Sequence, residues 1–169
     1  LSPFFYIQSD RLGPQKIYEH SVSNLRQSNI GNKGEYALHF LTSLGGTKLA
    51  DTDPRVKDVG SSRVIDIVNH YLKYISPGAN IKPKAFNEIN SVIAQYVFDR
   101  VDDIQSKPFK PINVGFGISY CLPILAALIL SKPGSLVLLE NPEAHIHPRG
   151  QTVLALLAAR AAAAGVQIF

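Results

Sequence analysis

The chain has 169 residues, 46% of them hydrophobic and 18% charged, a balance that excludes a disordered tail and suits one globular domain with a real core. Its formal net charge of +4 and pI near 9.2 come from scattered Lys and Arg without a basic block, so nucleic acid is permitted and not indicated. The single cysteine, Cys121, lies in an apolar run and excludes a disulfide framework or a four-cysteine zinc site within one chain, as expected of a reducing cytoplasm.

Phe4 to Gln8 predicts a short strand, broken sharply by Arg11-Leu12-Gly13-Pro14 and followed by a polar loop to Gly34. No charged leader or long apolar stretch marks a signal peptide here. The helical spacing of Ala37, Leu38, Phe40, Leu41 and Leu44 predicts a helix over 35–44, closed by Gly45-Gly46. A second helix is expected over 61–75 through Val64, Ile67, Val68, Tyr71, Leu72 and Ile75. Pro83 to Val101 supports two readings, since it can hold a helix while Val92 to Phe98 is equally good strand material.

Asn113 to Ser119 is a glycine-bearing loop, and Tyr120 to Ser131 a helix with Pro123 expected in its first turn, where a missing amide hydrogen costs nothing. The whole apolar stretch from Val114 to Leu130 is interrupted by Gly115, Gly117 and Pro123 and falls short of the roughly 18 residues of a membrane helix. A buried helix is expected, and no membrane partner. Ser135 to Leu139 has the continuous apolar character of a central parallel strand. Pro148 to Ala164 is an alanine-rich helix, and Val166 to Phe169 opens a further strand. The order strand, loop, helix, strand predicts a βαβ unit in a parallel α/β sheet. Because the sequence lacks methionine and stops inside that last apolar run, the chain reads as a fragment of a longer protein.

The most informative string is Leu136 to Leu139 followed by Glu140-Asn141-Pro142-Glu143-Ala144-His145-Ile146-His147-Pro148. An acidic residue at the carboxyl end of a buried parallel strand stands where open α/β sheets bind ligands, and where a carboxylate can hold Mg2+ through its water shell. This is Walker B geometry. Upstream lies Asn113-Val114-Gly115-Phe116-Gly117-Ile118-Ser119-Tyr120. Glycine lets a backbone approach phosphate, while helix N-terminal amides and a serine hydroxyl offer donors. A Gly-x-x-x-x-Gly-Lys-Ser/Thr loop does not occur in the sequence. Glu143, His145 and His147 are also capable zinc ligands, which makes metal hydrolysis an alternative.

These two strings closely resemble the divergent signature motif and extended Walker B of ABC-type ATPases related to RecF, SMC heads and the overcoming-lysogenization-defect nucleases. A weaker echo is Tyr6 to Pro14 with Asn29 to Tyr36, similar to a defence-associated bacterial AAA subgroup, although these glycines read equally as ordinary loop residues. The resemblance implies a partial P-loop NTPase fold of ABC type, with parallel strands and a helical insertion, over 1–169. Within it 1–112 would be an N-terminal strand and helical region, and 113–169 the signature helix, Walker B strand, D-loop and following helix. ATP and Mg2+ are the implied cofactors. Glu140 would support the metal, Asn141 would stand where many relatives keep the glutamate that orients water, and Glu143 would be a substitute. Gly117 and Ser119 would meet nucleotide held by the opposite head of a homodimer, and His145 and His147 would lie in the D-loop facing it. Nucleic acid or an effector protein is the implied further partner. The alternative is a non-catalytic interaction module that recruits or regulates an effector.

Overall fold

The computed structural model describes residues 3–99 and 106–169. Its strands, among the described residues, form two three-stranded sheets. The parallel sheet carries the order β1 (Phe4–Ile7), β5 (Leu136–Leu139) and β6 (Gln167–Ile168). Phe5 pairs with Val137 and Ile7 with Leu139, while Val137 pairs on its other side with Ile168. Helix α5 (Pro148–Ala163) connects β5 to β6. The expected βαβ unit and the mixed α/β fold with parallel strands are therefore present.

The second sheet is antiparallel, ordered β2 (Tyr18–Glu19), β4 (Ser91–Phe98) and β3 (Ala79–Phe86). It settles the segment with two readings: 83–98 lies in a hairpin, not a helix. β-Branched Val92, Ile93 and Val97 suit a pleated, half-buried surface, and Asn90 turns the chain at φ 46°. Pro83 is tolerated because β3 is an edge strand. The last residues of that ambiguous segment, 100–101, lie outside the described residues.

Four longer helices join these sheets: α2 (Ala37–Leu44), α3 (Val64–Ile75), α4 (Phe116–Leu130) and α5, preceded by the short α1 (Val22–Arg26). Helix α4 is apolar on all sides, and Ile124 to Ile129 are fully buried, as expected of a central helix. It packs on β1 and β5 and on α2, α3 and α5. It begins at Phe116, four residues before the expected start, with Gly115 as N-cap. Pro123 consequently lies inside the helix and not in its first turn, so the carbonyl one turn back loses a donor. The ring is accommodated by Gly34, at φ +79°, where an added Cβ would come within 2.2 Å of Pro123 Cγ. Among the described residues no helix is long and apolar enough to cross a membrane.

The C-terminus of α4 is pinned by Arg55, which is 2% exposed. Its Nη1 donates to the Leu128 and Ser131 carbonyls, both at 2.8 Å, and to that of Ile129 at 3.1 Å. Asp53 accepts from Nη2 at 2.7 Å, so the buried cation is paired and its donors are used.

Candidate functional site

Strand β5 delivers Glu140 to the carboxyl end of the parallel sheet, where the backbone leaves the sheet and the side chain is exposed. The Glu140 amide donates to Ile7 O at 2.9 Å, so the strand pairing continues one residue beyond β5. Its carboxylate accepts from the Tyr6 hydroxyl at 2.5 Å and from the Ser9 amide at 3.1 Å. The Tyr6 phenol first, and the Ser9 amide second, hold this carboxyl below the usual carboxylate range. The same bond, together with slight desolvation, raises the phenol's pKa. Glu140 is thus an ionised, surface carboxylate at neutral pH.

Asn141 adopts φ 42°, the left-handed region that Asn tolerates better than most side chains. Below this turn Arg11, 2% exposed, donates Nη1 to Glu140 O at 2.8 Å and Nη2 to Asn141 O at 2.9 Å. Tyr6, Ser9 and Arg11 were not singled out as site residues by sequence reasoning. Their one available signal was the strand and Leu-Gly-Pro break that contain them.

The loop then bends back through His145, at φ 63°. Its ring meets Tyr120 edge-on at 4.7 Å and tilts towards Phe116 at 6.4 Å. The first turn of α4 approaches the loop so closely that a Cβ on Gly117 would stand 2.5 Å from His145 O. Only glycine permits that approach without displacing backbone. Gly117, His145 and His147, with Gly115, line one groove of about 210 Å³. The predicted signature and D-loop residues are therefore neighbours.

His147 has a local task as N-cap of α5, its Nδ1 accepting from the Arg149 amide at 3.4 Å. Glu143 is exposed and borders a separate apolar groove of about 190 Å³ with Leu139, Pro142 and Leu154. Among the described residues no three His, Cys, Asp or Glu side chains converge as a metal cluster, so the zinc arrangement of Glu143, His145 and His147 is not formed. One ionised carboxylate at a strand end fits Mg2+ instead, which keeps several waters and takes its other ligands from phosphates.

Ser119 lies deeper than the glycines before it. Because α4 starts before it, the side chain falls on the inner side of the helix and is 5% exposed. Burial holds the Tyr18 and Tyr96 phenols above their usual range, and the Ser119 hydroxyl beside them partly offsets this. The residue lies against Tyr18 and Tyr96 of the antiparallel sheet. Within the motif, Gly115 and Phe116 are exposed and Gly117 is half-buried, whereas Ile118 and Ser119 are buried.

A family model described as "AAA domain, putative AbiEii toxin, Type IV TA system" matches residues 39–169, running from within α2 to β6 and taking in both strings. No curated protein and no solved structure matches the chain.

Proposed function

Because the chain belongs to this AAA-domain family of P-loop ATPases, which bind ATP, we propose that it is the signature and Walker B part of an ABC-type ATPase head. Two heads would sandwich nucleotide, and closure would drive an attached activity. The observation that carries this reading is the ionised Glu140 carboxylate at the exit of the central parallel strand, whose following loop packs at His145 against a glycine-bearing helix start. Glu140 would hold Mg2+ through its water shell, and the ion when bound would neutralise charge on the β- and γ-phosphates. Asn141 or Glu143 would orient the attacking water. Gly117 and its neighbouring amides would approach the opposite head's nucleotide, with His145 and His147 on the same face. The phosphate-binding loop, absent from this sequence, would come from elsewhere in the full-length protein. The two divisions, 1–112 and 113–169, would act within one ATPase domain. The family's description names a toxin of a Type IV TA system, which agrees with the defence association implied by the resemblance. Nucleic acid or an effector protein would be the target.

The second reading, a non-catalytic ATPase-like module, is favoured by Asn141. Its left-handed backbone gives the asparagine a conformational reason to be there, separate from any role in hydrolysis.

Two measurements on the full-length protein separate the readings. ATP turnover is expected of the enzyme and not of the module, and the chain by itself is expected to show none. Gly115→Arg tests the sandwich without disturbing the fold, because a Cβ there meets no atom within 4 Å. It should leave nucleotide affinity of the monomer intact while blocking ATP-induced pairing in sedimentation velocity. Pairing unaffected by Gly115→Arg would place the head interface elsewhere.

A further inference from the structure

Arg11 lies outside the matched segment, yet it touches three parts of the site. Its two terminal nitrogens hold consecutive carbonyls, Glu140 O at 2.8 Å and Asn141 O at 2.9 Å. Its guanidinium lies 5.3 Å from the centre of the Tyr120 ring, and Tyr120 in turn packs on His145. We propose that Arg11 is a positioning residue that fixes the Glu140–Asn141 turn against the first turns of α4, keeping the metal-side carboxylate and the head-pairing surface in one frame. This rests on the role proposed above for Glu140.

Three observations support it. The guanidinium is buried, so it is not available to grip a phosphate directly, and its charge is directed at backbone. Glu140 is held from both sides by β1 and the segment that follows it: its amide bonds to Ile7 O, its carbonyl to Arg11, and its carboxylate to Tyr6 and Ser9. Finally, a planar fork can bridge two consecutive carbonyls while stacking on an aromatic face, and an ammonium on a flexible stem does not reproduce that geometry. Without the fork, the left-handed Asn141 peptide loses the tie that opposes its relaxation, and the carboxylate moves with it.

The test uses the full-length protein, Mn2+ as the metal probe and a non-hydrolysable ATP analogue, with bound metal read by electron paramagnetic resonance. Arg11→Lys should weaken Mn2+ binding by about 10–100-fold, the usual scale for losing a group that orients a metal ligand. Metal-free nucleotide affinity should stay unchanged, a split that general loosening of the fold would not produce. Tyr120→Leu keeps both carbonyl bonds and removes the ring beneath the guanidinium, and should give a smaller loss of the same kind. Folded Arg11→Lys protein with wild-type Mn2+ affinity overturns the proposal. If Arg11→Lys does not fold, wild-type affinity in Tyr120→Leu overturns it. Glu140→Gln is the control: Mn2+ binding retained there defeats the Glu140 reading itself, whereas binding lost there and kept in both other variants defeats only the role of Arg11.

Discussion

Glu140 acquires its character from two neighbours more than 130 residues away in sequence, the Tyr6 hydroxyl and the Ser9 amide. Both bonds favour the ionised form, so its folded-state pKa lies below its unfolded value. By linkage its contribution to stability is fully present above the ordinary glutamate pKa and is lost as pH falls through the lowered value. Tyr6→Phe removes the larger cause. The Glu140 pKa should then rise towards the ordinary range in a carboxyl-detected NMR titration, and the acid limb of the unfolding profile should lose part of its slope between the two values. An unmoved Glu140 titration in Tyr6→Phe would show that the Ser9 amide alone sets it. The acid itself was legible in the sequence, because an unbroken apolar strand ends on it. Its partners were not, since nothing local in Tyr6, Ser9 or Arg11 reveals which strand lies beside β1.

Among the elements, α4 shows why helix starts are hard to place. Gly115 and Gly117 suggest a loop by composition, yet Gly115 serves as N-cap and Gly117 is glycine because His145 O presses against it. Tertiary contact decided the conformation, and the shift of the helix start carried Ser119 inward and Pro123 away from the first turn. The segment from Pro83 to Val101 was ambiguous for a related reason: Val92 to Phe98 shows strand propensity, but its pairing with both β2 and β3 is long-range information. The Gly34–Pro123 contact gives a test at this scale. Gly34→Ala forces a side chain into a left-handed backbone and onto the proline ring, and should cost about 1–3 kcal/mol or more in thermal or denaturant unfolding. In a Pro123→Gly background, which removes both the Cγ and the Cβ that an alanine at 34 would meet, the steric part should diminish, so the two substitutions should be non-additive. Strict additivity would mean that Gly34 is required for its backbone angle alone.

For the whole molecule, α4 is the piece on which the rest converges. Its apolar body fills the space between the parallel sheet and α2, α3 and α5, Arg55 anchors its last carbonyls, and its first turn meets the loop after β5. This arrangement places the glycine-bearing surface and Glu140 on neighbouring elements of one body. The α/β class and the βαβ unit were evident from the apolar runs of the last third, where periodicity and turn residues agree. The antiparallel sheet and its place against α2 and α3 were not, because residues 18–19 are too short a strand to signal themselves. The most direct measurement is steady-state ATP turnover by the full-length protein, wild type beside Glu140→Gln, with melting temperatures recorded for both. If Glu140 supports the metal, Glu140→Gln stays folded, with only the small drop in melting temperature that weakening the Tyr6 and Ser9 bonds brings, and loses most of its magnesium-dependent turnover; a fully folded Glu140→Gln protein that hydrolyses ATP at the wild-type rate would contradict it.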